Sequence, residues 1–147
     1  MSEEGNQMSG TTPFRATIPV RWNDFDRYGH ANNTVYLEYA QEGRRVLLEE
    51  HLAPEGFPPS VVRHVEVDYL RPVLPDTTEV FVDTEIIRVG RTSYTLRQTV
   101  LDQHENVTAV VTLVMVVVDR DHASPLELTP ANRRALEPFA APKVADA

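Results

Sequence analysis

The chain of 147 residues contains no cysteine, which excludes disulfide bonds, thiolate zinc sites, iron–sulfur clusters and cysteine nucleophiles. It also lacks a long hydrophobic run. The longest, about 109–118, is interrupted by Thr112 and is shorter than the ~20 residues that span a bilayer. The first ten residues, MSEEGNQMSG, are polar and acidic, unlike a secretory signal. These absences predict a soluble protein of the cytoplasm with no membrane partner.

Basic residues are scarce relative to acidic ones, with 14 Lys plus Arg against 22 Asp plus Glu and a net charge of −8. Such a chain is a poor binder of phosphate backbones, so we expect no nucleic-acid partner. The six glycines are scattered and form no glycine-rich phosphate loop. Hydrophobic residues make up 41% of the sequence, which suits one domain with a real core.

The ends of the chain differ from its middle. Residues 1–12 are polar and have no hydrophobic period, so we predict a flexible N-terminal arm there. We place the folded domain at 13–138 and a C-terminal tail at 139–147.

Alternating apolar residues, and one longer valine-rich run, predict five strands, at about 14–20, 65–69, 80–86, 94–101 and 107–118. Pro19 indicates an edge or a bulge in the first of them. Consecutive strands with short turns favour an antiparallel sheet. One helix covers only one face of such a sheet, and apolar residues remain on the other. We therefore expect a partner subunit, as a homodimer or a homotetramer.

Helical spacing is confined to two segments. Apolar residues three or four apart predict an amphipathic helix over about 33–51, with Asn32 or Asn33 as its N-cap. Thr129 and Pro130 begin a short last helix that runs to about Leu136. The predicted class is therefore α+β, a five-stranded antiparallel sheet with one long and one short helix.

The densest functional signal is the segment 22–44, WNDFDRYGHANNTVYLEYAQEGR. Two carboxylates and a histidine precede the start of the long helix. Free N–H groups in the first turn of a helix carry partial positive charge and can stabilise an oxyanion. A nearby carboxylate can attack a carbonyl or direct a water molecule at it.

This segment resembles the hotdog-fold acyl-thioester hydrolases, specifically the 4-hydroxybenzoyl-CoA thioesterase-like group. The shared pattern is close to W-x-D-x-D-x-x-G-H-x-N-N-x-x-Y followed by an arginine on the helix. The plant acyl-carrier-protein thioesterases carry a similar stretch. The resemblance continues through VEVDYLRPVLPDTTEV and IIRVGRTSYTL and covers about 14–119. It implies a hotdog fold, a sheet wrapped around one long helix, with active sites between subunits.

Position by position, the resemblance assigns Asp26 the role of nucleophile or general base. The main-chain N–H of Asn33 matches the donor that polarises the thioester carbonyl, and His30 matches a catalytic histidine of the plant enzymes. Tyr28 stands where the plant enzymes have asparagine, so their water-activating arrangement is incomplete here. Asp24 matches a position that holds the loop.

A second group of residues is expected around the substrate. The resemblance places the pantetheine path along 88–93, and we assign substrate binding to Asn32, Tyr36, Arg91, Thr92 and Ser93. Taken alone, Asn32 also fits a loop-fixing amide. Tyr36 and Arg44 fit packing and helix–loop pairing better than chemistry.

Two other patterns carry less functional weight. His64, Glu66 and Asp68 share one face of a predicted strand and could hold a divalent cation, but a solvated or interface face is the better interpretation. Five arginines lie in the middle of the acidic chain and could hold the phosphates of coenzyme A: Arg63, Arg71, Arg88, Arg91 and Arg97.

The resulting hypothesis is an acyl-CoA thioesterase that releases a free acid and the thiol without a metal or redox cofactor. Three alternatives remain open. The donor could be an acyl-carrier-protein thioester, or the domain could be a non-catalytic module that binds acyl groups. A dehydratase on the same fold is the least favoured.

Overall fold

The computed structural model describes residues 13–121 and 123–142, so the predicted arm at 1–12 lies outside the described residues. The strands and helices follow one another as β1 (Phe14–Pro19), α1 (Asn33–Leu47), β2 (Ser60–Tyr69), β3 (Glu79–Val89), β4 (Ser93–Leu101), β5 (Val107–Val117) and α2 (Pro130–Leu136). Short turns of 3-10 or π type occupy Trp22–Asp24, Leu48–Leu52, Ala53–Glu55 and Glu137–Phe139. No helix within these described ranges is long and apolar enough to span a bilayer.

The five strands form one sheet in the order β1-β3-β4-β5-β2, and every neighbouring pair is antiparallel. The long helix α1 covers one face. Pro19 ends the edge strand β1 opposite Glu79, where a missing N–H donor is tolerated. The predicted α+β architecture is confirmed: a five-stranded antiparallel sheet around one long helix, with a short helix near the C-terminus.

The long helix begins where its cap residue predicts and ends earlier than expected. The side-chain oxygen of Asn32 accepts a hydrogen bond from the Thr34 N–H at 3.2 Å, so Asn32 is the N-cap. Regular α-helix stops at Leu47 and continues as a π-type turn over Leu48–Leu52. Pro54 follows, and a residue without an N–H donor cannot extend the helical hydrogen bonding.

Close packing between α1 and β3 depends on Gly43. A Cβ atom built on Gly43 would lie 2.5 Å from Cγ1 of Val82 and 2.9 Å from its Cβ. Real Cβ atoms do not approach other heavy atoms so closely, so glycine is required at this crossing. The neighbouring helix residues Tyr39, Ala40 and Leu47 are almost fully buried, which makes this face of α1 the centre of the core.

Strand β2 forms the other edge of the sheet and is the most exposed strand. It starts at Ser60, five residues before the predicted run, because its length is set by pairing with β5 rather than by alternation alone. Its apolar side chains stay accessible, with exposed fractions of 41% for Val61 and 47% for Val62. The unpaired N–H and C=O groups of a long edge strand of this kind can pair with another chain.

The chain after α2 returns to the core. Phe139 is buried and its ring lies edge-on to Phe14, with centroids 6.1 Å apart. Ala140 forms a bridge with Ile86 of β3. The packed contacts of the domain therefore reach into the segment that we predicted as a tail from residue 139.

Candidate active site

The loop before α1 is anchored from inside by Asp24. This carboxylate is 3% exposed and accepts hydrogen bonds from the Tyr39 hydroxyl at 2.9 Å and from the Arg21 backbone N–H at 2.8 Å. Burial raises the pKa of the Tyr39 hydroxyl, and the hydrogen bond to Asp24 adds to the effect. Both Asp24 oxygens are occupied, since Nε of Arg21 donates to the other at 3.0 Å. Asp24 is thus a structural acceptor that fixes the loop to the helix.

The carboxylate of Asp26, two residues further along the chain, is exposed, and within the described residues only one of its two oxygens accepts hydrogen bonds. Its Oδ1 accepts the backbone N–H groups of Tyr28 at 2.8 Å and of His30 at 3.3 Å. Gly29 closes the loop with a positive φ of 82°, a conformation that favours glycine. Within the described part of the chain, Oδ2 of Asp26 has no hydrogen-bond partner. The loop therefore orients the carboxylate and leaves one oxygen free towards a cleft of about 600 Å³.

The start of α1 is open to a ligand. The Asn33 N–H has no acceptor among residues 13–121 and 123–142, and its side of the helix is exposed. The first turn contains no acidic residue, so no carboxylate of that turn already compensates the positive end of the helix. Asn33 lines a cavity of about 240 Å³ together with His30, Tyr36 and Tyr69. A carbonyl oxygen placed there would be polarised.

Two tyrosines hold this helix start against the sheet. The Tyr36 hydroxyl accepts the Val73 N–H at 3.0 Å, and burial raises its pKa. The Tyr69 hydroxyl donates to the main-chain oxygen of Asn33 at 3.2 Å. The two rings meet edge-on with centroids 5.3 Å apart. The oxygen of the Tyr36 hydroxyl therefore accepts a hydrogen bond within the chain, and Tyr36 borders the cavity.

The predicted site residues fall into three places within one chain. His30, Asn33 and Tyr36 share the small cavity, and Asn32 caps the helix beside it. Asp26 lines the adjacent cleft with Thr77 and Thr78, directly before β3. Arg91, Thr92 and Ser93 follow the far end of β3, where Arg91 pairs with Glu127 at 2.7 Å. A strand of this length spans roughly 33 Å, so one chain does not bring this last group to Asp26.

Tyr69 escaped prediction from the sequence as a cavity residue. Tyr69 and Arg71 border the same cavity as Asn33, although they are more than thirty residues away along the chain. The sequence named Arg71 only as one of five arginines that could hold coenzyme A phosphates, and the only signal at Tyr69 is its position at the end of a strand. Nothing in the pattern shows that the end of β2 meets the start of α1.

Comparison with known proteins gives the family. The family model of the thioesterase-like superfamily matches residues 20–142. The chain belongs to this superfamily. The matched segment includes both the loop with Asp26 and the whole sheet from β2 to β5, and the hotdog fold predicted from the sequence is confirmed. None of the curated proteins is similar enough to this chain to count as a match.

Solved structures of similar proteins agree. A thioesterase from Thermus thermophilus, solved in complex with coenzyme A and zinc, is 30% identical with a TM-score of 0.76, over 90% of this chain and 98% of that one. A predicted thioesterase from Bacillus stearothermophilus is 26% identical with a TM-score of 0.77, over 88% and 98%. The PA5185 protein of Pseudomonas aeruginosa strain PAO1, at 22% identity and a TM-score of 0.77 over 89% and 94%, shares the fold.

In this thioesterase-like chain, the side chains that could have held a divalent cation, His64, Glu66 and Asp68 on β2, do not come together around one point. His64 and Glu66 lie side by side on the outer sheet face, with Nε2 and Oε2 3.4 Å apart. Within the described ranges no three His, Asp or Glu side chains come together as a metal-binding group.

Proposed function

We propose that the protein hydrolyses acyl or aryl thioesters of coenzyme A, with Asp26 as nucleophile or general base and the Asn33 N–H as the group that polarises the thioester carbonyl. The observation that carries this proposal is the open helix start. An unbonded N–H at Asn33 follows closely on a loop that holds one carboxylate oxygen of Asp26 free. Membership of the thioesterase-like superfamily and the coenzyme A in a similar thioesterase support the substrate class.

The chemistry needs few groups because a thioester is already activated. A thiol has a pKa of about 8.5, so the thiolate leaves readily. Asp26 either attacks the carbonyl carbon or removes a proton from an attacking water molecule. The charge that develops on the carbonyl oxygen is stabilised by the helix start. Water and the thioester are consumed, and a free acid and coenzyme A are released.

A second copy of the chain completes the proposed site. Strand β2 is an exposed edge of the sheet, and full-length antiparallel pairing of two copies would place Ser60 opposite Tyr69 of the partner subunit. Ser93 lies in the same row of the sheet, since it pairs with Val116, and Val116 pairs with Val61 beside Ser60. Three strand spacings, about 14 Å, then separate Ser93 from the partner's Tyr69.

This pairing explains why the predicted substrate residues lie apart within one chain. Arg91, Thr92 and Ser93 of one copy serve the helix start of the other copy. The pairing of the two β2 strands is the same whether such dimers stay separate or associate further into tetramers. The cytoplasmic location stays a prediction from the sequence.

The decisive test is thiol release from a panel of aliphatic and aromatic CoA thioesters by the wild type, Asp26→Asn and Glu55→Gln. Glu55 is an exposed carboxylate in the turn after α1 and serves as the matched control. We expect kcat/KM to fall about 100-fold or more in Asp26→Asn and to stay unchanged in Glu55→Gln. Equal urea midpoints in all three would exclude a folding defect.

Two results would overturn the proposal. Equal rates in wild type and Asp26→Asn would remove Asp26 from the chemistry. No turnover of any CoA thioester would move the assignment to carrier-protein thioesters, tested with acyl-carrier-protein substrates. If those also stay intact, tight binding of acyl-CoA without turnover would identify a non-catalytic module.

A further inference from the structure

A second cavity lies under the C-terminal half of α1, away from Asp26. Its volume is about 330 Å³, at the lower end of the range for ligand sites. Its walls come from α1 and the turn that follows it and from β2, β4 and β5, and they are mainly apolar: Leu47, Leu48, Leu52, Val62, Leu96 and Met115. The other lining residues carry polar groups, which indicate what the cavity could hold: Gln41, Arg44, Arg45, Ser60 and Tyr94.

Arg44 is the unusual group in this cavity. Its guanidinium is half-buried and donates through Nη1 to Oε1 of Gln98 at 3.1 Å. That partner is a neutral amide, and burial lowers the pKa of Arg44. Within residues 13–121 and 123–142, no carboxylate forms an ion pair with it. Arg44 therefore places an uncompensated positive charge beside apolar walls, an arrangement that disfavours the empty cavity and favours an anion in it.

Arg45, the next residue along the helix, differs from Arg44 because carboxylates neutralise its charge. Arg45 also borders the cavity, but its Nη2 donates to Glu42 at 2.8 Å and its Nη1 to Glu49 at 2.9 Å. Its charge is compensated on the helix surface. Of the two arginines at the cavity, Arg44 is the one without a carboxylate partner inside the described residues.

The surroundings of Arg44 are fixed before any ligand arrives. Gln98 is fully buried, and its Nε2 donates to the main-chain oxygen of Ala40 and to the Thr84 hydroxyl, both at 2.9 Å. This orients Oε1 towards Arg44 and so positions the guanidinium. Ser60 also borders the cavity, and since it accepts the Tyr94 hydroxyl at 2.9 Å its own proton is free to donate. Arginine N–H groups and a hydroxyl donor suit a carboxylate.

We infer that this cavity binds the distal part of the acyl group and that Arg44 selects acyl groups that end in a carboxylate. The inference rests on the proposed function, because it needs the thioester carbonyl at a helix start nearby. The pairing of two β2 strands supplies that helix start. Ser60 at the cavity would lie opposite the partner's Tyr69, whose hydroxyl holds the start of α1. The substrate class is then the CoA monothioesters of dicarboxylic acids.

The test compares thioesters of equal chain length with and without the distal carboxylate, such as adipoyl-CoA and hexanoyl-CoA, within a series of four to eight carbons. We expect the wild type to prefer the dicarboxylic substrate. In Arg44→Met, which keeps an unbranched apolar stem, kcat/KM for that substrate should fall about 10- to 100-fold. Hexanoyl-CoA hydrolysis should change little. Arg45→Met is the matched control and should retain the wild-type ratio.

A binding measurement keeps the two proposals separable. Calorimetry with free adipate and with hexanamide, which has a similar chain but no carboxylate, needs no turnover. Adipate should bind the wild type and fail to bind Arg44→Met, and hexanamide should bind neither protein more tightly than the other. Arg44→Lys covers the case in which the methionine variant does not fold, and should retain part of the adipate affinity. If CoA thioesters are hydrolysed with no preference for a distal carboxylate, the inference is wrong and the proposed function stands. If no thioester is hydrolysed but adipate binds through Arg44, the proposed function fails and the carboxylate site stands. An Arg44 already neutralised by an acidic group of a second copy would show neither preference nor adipate binding, and would overturn the inference.

Discussion

The polar groups at the start of α1 and those packed beneath its C-terminal half differ in whether they have hydrogen-bond partners. At the N-terminal end, one oxygen of Asp26 and the N–H of Asn33 are without partners inside the described residues, and both groups are exposed. Beneath the C-terminal half of the helix, Gln98 of β4 is fully buried, and both its amide nitrogen and its oxygen form hydrogen bonds to α1. No buried side-chain nitrogen or oxygen within the described chain lacks a partner.

We relate this difference to the division between the proposed reaction and the stability of the fold. Exposed groups without partners contribute little to folding and remain available to bind a reacting carbonyl. Buried groups with complete hydrogen bonding fix the helix on the sheet, since losing one partner leaves the other unsatisfied at a cost of about 1–3 kcal/mol. Arg44 also has a hydrogen-bond partner there, but no counter-charge inside the described residues, and for that reason it is the group to which we assign ligand selection.

The largest expected effect comes from breaking the close packing of the C-terminal half. Gly43→Ala would push a methyl group against Val82, and overpacking of this kind costs about 1–3 kcal/mol, partly offset by the better helix propensity of alanine. We expect the free energy of unfolding to fall by about 2 kcal/mol in urea titrations. The exposed neighbour Gln41→Ala should change it by less than about 0.5 kcal/mol.

A double variant sharpens this result. Val82→Ala makes room for the new methyl group, so the two substitutions together should cost less than the sum of their separate effects. If Gly43→Ala instead stabilises the protein by the ~1 kcal/mol that helix propensity alone gives, the close approach of α1 to β3 is wrong.

The same comparison explains how much could be predicted from the sequence. The fold class, the helix start and the strand order along the chain follow from local alternation and from caps such as Asn32. The grouping of Asp26, His30 and Asn33 around the start of α1 was also predictable, because they lie within eight residues; their catalytic roles stay predictions. The end of α1 was placed too late, since a π-type turn after Leu47 has no clear sequence signal.

The cavity under the C-terminal half of α1 could not be predicted from the sequence, because the residues that line it are distant from one another along the chain. Arg44, Ser60, Tyr94 and Met115 come together only when β2, β4 and β5 pair in register beneath the helix. Arg44 by itself fits a surface or packing residue. Its lack of a counter-charge emerges only when the partners of Arg45 and Gln98 are known.

A smaller effect concerns two buried tyrosines, Tyr39 in the middle of α1 and Tyr94 on β4 beneath its C-terminal half. Burial raises the pKa of Tyr39 and of Tyr94. Because the folded-state pKa is raised, the stabilising contribution is complete below the unfolded pKa of about 10 and is lost as pH rises through the folded value. The free energy of unfolding should therefore fall between pH 10 and 11, by up to about 1.4 kcal/mol per pH unit for each buried tyrosine.

Urea titrations at pH 9, 10 and 11 would measure this slope. Tyr39→Phe and Tyr94→Phe should each flatten it by about the same amount, whereas Tyr28→Phe should not, because Tyr28 is 74% exposed. Part of the slope should remain in each variant, because the other buried tyrosine and Tyr36, whose pKa burial also raises, still contribute. A slope that is unchanged in both buried-site variants would mean that neither hydroxyl is held neutral by the fold.

The smallest expected effect on stability comes from removing two helix caps. This comparison also separates most sharply the contribution of the start of α1 to activity from its contribution to stability. Asn32→Ala removes the acceptor for the Thr34 N–H, and Thr129→Ala removes the acceptor for the Asn132 N–H at the start of α2. Each should lower the free energy of unfolding by about 1 kcal/mol. Only Asn32 fixes the first turn that presents the Asn33 N–H, so only Asn32→Ala should also lower kcat/KM for thioester hydrolysis. Because the two variants lose similar stability, a matching loss of activity in Thr129→Ala would show that activity follows overall stability and would count against the helix start as the carbonyl-binding group.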